Sequence, residues 1–176
     1  LDIKNWKKVS DDTSEFLSQY HDIPFKGEVP ENITPNSPVR NYPYYMNFAG
    51  ERLLITGGGH IANRLDRPGT IMTFENNTWN SFQEEGISEQ TKHRYDDINC
   101  IVQDPKDAAH HFAASAGEGI YEFKDGKFIN WYSMHNSPLE SAVPNEPWAD
   151  SYVRVNGLIY DKENNLWMVS CETQHA

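Results

Sequence analysis

The side chains of this sequence that are best suited to binding a ligand lie in three long polar stretches, residues 59–69, 83–97 and 136–152. Aromatic faces stack on sugar rings, and Arg and Asp hydrogen-bond to hydroxyl or carboxylate groups. The candidate ligand-binding residues are Arg64, Asp66, Arg67, His93, Arg94, Tyr95, Trp148 and Tyr152. A packing role between structural units is the alternative for Trp148 and Tyr152. If one surface gathers these stretches, we expect it to recognise a polysaccharide or a protein ligand.

Catalytic chemistry finds little support in the residue spacing. The glycine run at 57–59 precedes His60, whereas a phosphate-binding loop needs Gly-Lys followed by Ser or Thr. The adjacent acids at 84–85 and 96–97 do not indicate the two carboxylates that a glycosidase places about 5 to 10 Å apart across a cleft. No Ser-centred nucleophile elbow is present. We therefore predict that the protein is not an enzyme, and a kelch- or glycosidase-type enzyme is the less favoured alternative.

The histidines and cysteines are not spaced as metal ligands. None of the seven histidines belongs to an H-E-x-x-H or similar pattern. His110 and His111 are adjacent, so in a strand their side chains point to opposite faces. The two cysteines, Cys100 and Cys171, form no disulfide framework and are expected to be buried free thiols. We predict no metal and no cofactor.

Charge and hydropathy exclude two classes of partner. The formal net charge is -11, and such a surface repels phosphate backbones, so we exclude nucleic acid as a partner. The sequence pI is about 5.0 and the mean hydropathy is -0.74. No segment approaches the roughly 18 consecutive apolar residues of a membrane-spanning helix, so we predict no membrane insertion by this segment.

The elements that must position the three stretches are internal repeats. Residues 71–79 align without a gap with residues 120–128, and Ile71, Phe74 and Trp79 match apolar residues of the second copy. Turn-forming residues, Asn-Asn in one copy and Asp-Gly in the other, lie between two apolar runs in each. Each copy therefore predicts a β-hairpin with a tight turn.

A second repeat precedes each hairpin. Residues 98–104 align with 155–161, and residues 111–115 align with 166–170. The segments between them, residues 105–110 and 162–165, are predicted turns. Joined together, one unit reads as strand, turn, strand, glycine, strand, turn, strand. Four short antiparallel strands repeated in this way are typical of one blade of a β-propeller.

The predicted fold class is all-β, a β-propeller fragment of about two and a half visible four-stranded antiparallel blades. The blades span about residues 44–82, 97–133 and a truncated 153–176, which together form a partial propeller over 44–176. Residues 1–43 are predicted to be an irregular or linker segment with a possible short helix over 11–20. A kelch propeller is a competing assignment, because Gly57 and Gly58 precede Phe74 and Trp79 at a similar spacing, but the second unit lacks the double glycine. We expect the open strand edges of the fragment to pair with the parent chain or a second copy.

Two segments carry a family resemblance. Residues 119–123, Gly-Ile-Tyr-Glu-Phe, followed by Asp125-Gly126, resemble the G-L-Y-E-F segment of bacterial two-component-regulator propeller repeats. Residues 161–167 resemble the D-x-x-G-x-L-W signature of the same repeats, although Asn164 replaces the usual Gly. Together with residues 104–107, 136–139 and 155–158, the pattern is most similar to PorZ-like propellers of the type IX secretion system.

The resemblance implies an extracytoplasmic location, in the periplasm or on the outer surface of a Gram-negative bacterium. It also implies a larger parent chain, whose remaining blades or domains would be partners of this segment. Relatives act in signal transduction, as ligand sensors ahead of a histidine kinase, or as surface components that handle polysaccharide and exported proteins. The function expected from it is non-catalytic recognition, and a structural scaffold for protein–protein docking is the alternative. No catalytic residue is carried over.

Overall fold

The computed structural model describes residues 36–59 and 65–173, which form three antiparallel β-sheets. Strands that follow one another in the chain are neighbours in each sheet. The first sheet contains β1 (Tyr45–Ala49), β2 (Arg52–Thr56), β3 (Ile71–Glu75) and β4 (Thr78–Ser81). The second contains β5 (Ile98–Asp104), β6 (Asp107–Ser115), β7 (Ile120–Lys124) and β8 (Lys127–Tyr132), and the third contains β9 (Val155–Tyr160) and β10 (Leu166–Ser170). The predicted fold class, an all-β propeller fragment, is confirmed.

The two predicted hairpins have the tight turns that their sequences favour. Asn76 and Asn77 adopt φ values of 50° and 58° between β3 and β4, and Asp125 and Gly126 adopt 51° and 71° between β7 and β8. Two successive residues with positive φ match the right-handed twist of the flanking strands, and Asn, Asp and Gly tolerate this conformation best. The residue types at these turns therefore fix the hairpin positions.

The predicted turn over residues 105–110 is wrong in its length. β6 begins at Asp107, so only Pro105 and Lys106 connect it to β5, and the Asp104 carboxylate accepts a hydrogen bond of 2.8 Å from the Lys106 backbone N–H. Residues 107–110 look like a turn because they are polar. They extend the strand because His110 contacts Asp104 and Glu122 on the sheet surface, at 3.1 and 2.6 Å.

Two short helical segments interrupt the connections between sheets. The stretch 83–97, predicted as a loop, contains the single-turn helix α1 (Ile87–Thr91), and Ile87 anchors it in the core. A 3-10 helix (Ala149–Tyr152) lies in the third stretch. Within the described residues no helix has the length and apolar character needed to cross a membrane. The possible helix over residues 11–20 lies outside the described residues.

The three sheets pack face to face, and alternate residues of the second sheet serve the two interfaces. Side chains on successive strand residues point to opposite faces, so Tyr121 packs toward the first sheet and Ile120 toward the third. The first strands β1, β5 and β9 lie next to one another. A Cβ atom on Gly58 would lie 2.0 Å from the Ile98 carbonyl oxygen, so only glycine fits where the first sheet approaches β5.

The interface cores consist of buried apolar side chains. Between the first and second sheets they are Leu54, Ile71, Phe82, Ile87, Tyr95, Ile98, Ile101, Ala113, Tyr121 and Phe123. Between the second and third sheets they are Cys100, Val102, Ala114, Ile120, Val155 and Leu158.

All long connections lie at one edge of the sheets, which we call the loop edge. Antiparallel strands alternate in direction, so the chain leaves the second and fourth strand of a sheet at the same edge. Bridges pair Pro68 with Asp96 and Glu118 with Val153, which places each loop after a second strand against the chain that enters the next sheet. The tight two-residue turns lie at the opposite edge, the turn edge. The described residues of the three polar stretches, 59, 65–69, 83–97 and 136–152, therefore belong to the loop edge.

Candidate functional site

Asp97 organises the loop edge between the first two sheets. Its buried carboxylate accepts three backbone hydrogen bonds from the loop after β2, from the N–H groups of Leu65 (3.1 Å), Asp66 (3.0 Å) and Arg67 (3.2 Å). Hydrogen bonds to an ionised carboxylate are stronger than neutral ones. Asp97 therefore holds Asp66 and Arg67 in a fixed position at the entrance of β5.

Arg94 is the centre of a charge cluster on this loop. Its guanidinium forms ion pairs with both Asp66 and Asp96, and the Asp96 side chain is 8% exposed while that of Arg94 is 53% exposed. Two carboxylates on one guanidinium leave this cluster with a net negative charge. Arg94 is therefore engaged within the protein, and the cluster does not favour an anionic ligand.

Arg67 and Tyr95 have structural contacts. The Arg67 guanidinium lies over the Tyr42 ring, 5.0 Å from its centroid, and donates a hydrogen bond of 3.4 Å to the Gly58 carbonyl. Tyr95 is 8% exposed and packs edge-to-face on Tyr121, with ring centroids 4.9 Å apart. The structure places Tyr95 in the core because its ring fills the space between the two sheets.

His93 lies on the rim of the second sheet. Its ring is 4.4 Å from the Trp131 ring, and its Nδ1 atom is 3.6 Å from the Glu118 carboxylate, which is wholly buried. The Trp131 indole N–H donates to the Glu118 backbone carbonyl at 2.5 Å. Sequence reasoning did not select Trp131 or Glu118, although Trp131 aligns with Phe82 in the first repeat. His93 thus contacts the second sheet through the Trp131 ring and the Glu118 carboxylate.

The third stretch presents the most accessible aromatic side chain of the candidate set. Trp148 is 54% exposed just before the 3-10 helix, so it does not pack between sheets. In the same stretch His135 and Asp150 form a 2.7 Å contact, and both side chains are about half exposed. Tyr152 lies instead beneath the Arg154 guanidinium at 4.9 Å, and Arg154 also pairs with Glu172.

Seven of the eight predicted side chains lie in connections at the loop edge, and Arg64 lies outside the described residues. Asp66 and Arg94 pair directly, Arg67 and Tyr95 are held by the same loops, and His93 stacks on the neighbouring sheet. Trp148 is exposed to solvent and lies two residues before Asp150 in the chain. Over residues 36–59 and 65–173, no three His, Cys, Asp or Glu side chains are grouped as a metal site. The chemistry offered by this edge is stacking and hydrogen bonding.

Comparison with known proteins gives one informative likeness. No family model matches this chain, and no curated protein matches it. A solved structure of PorZ, an essential bacterial surface component of the type IX secretion system of Porphyromonas gingivalis, is similar to it with a TM-score of 0.67 and 27% sequence identity. The likeness covers 78% of this chain and 18% of the PorZ chain, so this chain spans about a fifth of that protein's length.

Proposed function

We propose that this chain is part of a surface component of a type IX secretion system and acts there as a recognition module. The observation that supports the secretion role is the likeness to PorZ at 27% identity over 78% of this chain. The propeller-repeat signatures at residues 119–126 and 161–167 agree with it. An extracytoplasmic location, an absence of catalysis and the division at residue 44 belong to the same proposal.

A deletion experiment tests the secretion role. The coding segment for residues 44–176 is removed from the parent gene in the bacterium that carries it, and cargo proteins are quantified by mass spectrometry on the cell surface and in the medium. We expect surface cargo to fall while its precursors accumulate in the periplasm. Unchanged surface cargo together with altered transcription would instead support the alternative of a sensor ahead of a histidine kinase.

The loop edge is the proposed recognition surface, and a glycan is the ligand that its chemistry favours. Trp148 offers an exposed indole face, and the nearby His135–Asp150 pair offers a donor and an acceptor. Carbohydrates combine an apolar ring face with many hydroxyl groups, which suits an aromatic platform beside polar side chains. The net negative Arg94 cluster favours a neutral glycan over an acidic one.

A glycan array on the parent protein tests this surface, with Trp148→Ala as the variant. Ile129→Ala is the control, because Ile129 on β8 is 52% exposed and its truncation also removes exposed apolar surface. We expect the first variant to lose the glycan signal and the second to retain it. Equal binding by wild type and Trp148→Ala would contradict a glycan site at this position.

A scaffold role is the second candidate, and the outer faces of the fragment favour it. Met46 and Phe48 are 64% and 67% exposed on β1, and Ile159, Trp167 and Val169 are 58–62% exposed on the third sheet. Among the described strands none pairs with the outer edge of β10. In a closed propeller such faces contact the neighbouring blades, so the remaining blades of the parent chain are the proposed partners.

A further inference from the structure

A polar cleft opens between the first and second sheets on the turn edge, away from the loop edge. Its volume is about 330 Å³, at the lower end of the roughly 300–1,000 Å³ of small-molecule sites. Arg52 and Glu75 border it from the first sheet, His111 borders it from the second, and Phe82 forms an apolar wall. The size of the cleft suits one small ligand, such as a single sugar ring.

His111 is the unusual residue of this cleft. The side chain is only 2% exposed, and its Nδ1 atom lies 3.2 Å from the Ala109 carbonyl oxygen. Because a carbonyl only accepts hydrogen bonds, Nδ1 carries the proton and Nε2 carries a lone pair. Nε2 is buried and has no hydrogen-bond partner among the described residues. A buried acceptor of this kind calls for a donor, and His111 lines the polar cleft, which a donor group could enter.

The remaining polar groups of the cleft set the charge of a ligand. Arg52 donates to the Glu75 carboxylate at 2.9 and 3.0 Å, to Gln103 at 3.1 Å and to the Ala108 carbonyl at 2.6 Å. The Arg52 charge is therefore compensated by Glu75. Hydroxyl and amide groups of Thr73, Asn80 and Ser81 line the cleft, together with the carboxylate-bearing Asp125. Acids at two positions disfavour an anion, and hydroxyl-bearing walls favour a neutral ligand with several hydroxyl groups.

The Phe82 ring adds an apolar surface to the cleft. Phe82 contacts His111 edge-to-face, with ring centroids 4.9 Å apart, so an apolar surface adjoins the buried acceptor. A sugar ring offers an apolar face and hydroxyl donors at the same time. A metal ion is not favoured, since no group of three metal-ligating side chains occurs in the described part of the chain.

We propose that this cleft binds one neutral sugar ring, one hydroxyl of which donates a hydrogen bond to Nε2 of His111. Further hydroxyls bond to Ser81 and Glu75 at the rim. This site is separate from the loop edge and does not depend on the glycan proposed there.

Saturation-transfer NMR on the complete chain tests the site with D-glucose, D-galactose, D-mannose and N-acetylglucosamine as probes. We expect at least one of them to bind and to shift the ¹⁵N resonance of the His111 Nε2 atom. His111→Phe keeps a planar aromatic ring and removes the acceptor, so affinity for that sugar should fall about tenfold, the value of one hydrogen bond. Trp148→Ala should bind the same sugar as wild type does.

Urea unfolding of both variants is the control that they are folded, because the comparison requires a folded His111→Phe protein. Equal sugar binding by His111→Phe and wild type would overturn the proposal, as would no binding of any probe. Loss of binding in Trp148→Ala alone would assign the sugar to the loop edge and likewise overturn it. If Trp148→Ala does not change glycan binding on the array, the glycan site at the loop edge is contradicted, but the sugar site in this cleft is not. The two proposals can therefore fail separately.

Discussion

Replacing His111 with Phe should remove a specific sensitivity of the fold to acid. The pKa of His111 is lowered to about 4, mainly by burial and to a smaller extent by the nearby positive charges of Arg52 and His110, against the Ala109 carbonyl bond that raises it. The ordinary value is 6.5. Between these values the unfolded chain binds a proton that the folded chain excludes. The free energy of unfolding therefore falls as the pH drops from about 6.5 toward 4.

The size of this effect follows from the two pKa values. The pKa differs by about 2.5 between the unfolded and the folded chain, and each pKa unit is worth about 1.36 kcal/mol. At a pH below both values the free energy of unfolding is therefore lower by about 3 kcal/mol. At pH 5 the unfolded histidine is almost fully protonated and the folded one is largely neutral. The free energy of unfolding is therefore lower by about 2 kcal/mol than at neutral pH. At pH 7 the folded histidine is neutral and the unfolded one is mostly neutral, so the histidine contributes little pH dependence there.

At pH 7 the same substitution should leave stability unchanged or raise it by about 1 kcal/mol, because a buried acceptor without a partner is removed. The Ala109 carbonyl stays satisfied, since it also accepts a 2.9 Å hydrogen bond from the Asp125 N–H. The neighbour His110 is the matched control. Its pKa is raised by the Asp104 and Glu122 carboxylates, against the opposing effect of burial, so its stabilisation is present in acid and is lost as the pH rises.

Urea unfolding followed by tryptophan fluorescence at pH 7, 6 and 5 measures these differences. Relative to wild type, His111→Phe should gain about 2 kcal/mol between pH 7 and pH 5. His110→Phe should change in the opposite direction, with its largest loss at pH 5. Parallel pH curves for wild type and His111→Phe would refute the reasoning, since they would mean that His111 titrates alike in both states.

Three further substitutions test the packing that positions the loop edge. Gly58→Ala should lower the free energy of unfolding by about 3 kcal/mol in urea titrations, because the added Cβ meets the Ile98 carbonyl oxygen at 2.0 Å; an unchanged midpoint would contradict this approach. Asp97→Ala should cost about 3 kcal/mol and increase amide hydrogen exchange at residues 65–67, whose N–H groups it binds, while slow exchange there would show that other groups hold the loop. Tyr121→Phe should lower the free energy of unfolding in urea by about 1 kcal/mol, since the hydroxyl donates a 2.6 Å hydrogen bond to the Arg94 carbonyl. An unchanged free energy of unfolding would mean that this hydrogen bond does not stabilise the fold.

Repeat alignment was enough to predict the sheets because the information is local. The turn residues at 76–77 and 125–126 need positive φ, and the apolar runs beside them need a partner strand. The order of the strands then decides which connections share an edge, so the position of residues 65–69, 83–97 and 136–152 at one edge follows from topology alone. The order of four strands in a blade is therefore the step from which most of the architecture follows.

The sequence-based predictions that the structure corrects are wrong because a tertiary contact overrides the local sequence pattern. Residues 107–110 are polar, yet they continue β6 because His110 finds two carboxylates across the sheet surface. Tyr95 occurs in a charged stretch, yet its ring enters the core beside Tyr121. Neither the partner of a polar strand residue nor the depth of a loop aromatic is encoded within a few residues of sequence.

The two proposed sites, at Trp148 and at His111, differ in how much of each can be predicted from the sequence. Trp148 stands out by residue type in a long loop, although its exposure is set by how the chain returns to β9. The sequence distinguishes His111 only as a strand residue whose side chain points to the opposite face from that of His110. Alternation places His111 on the face of Ala113, which is core, so a buried histidine could be inferred from the repeat. What alternation cannot supply is the empty volume beside it. That volume is bordered by residues far apart in the sequence, Arg52 and Glu75 from the first sheet and His111 from the second, so only the packing of the two sheets defines it.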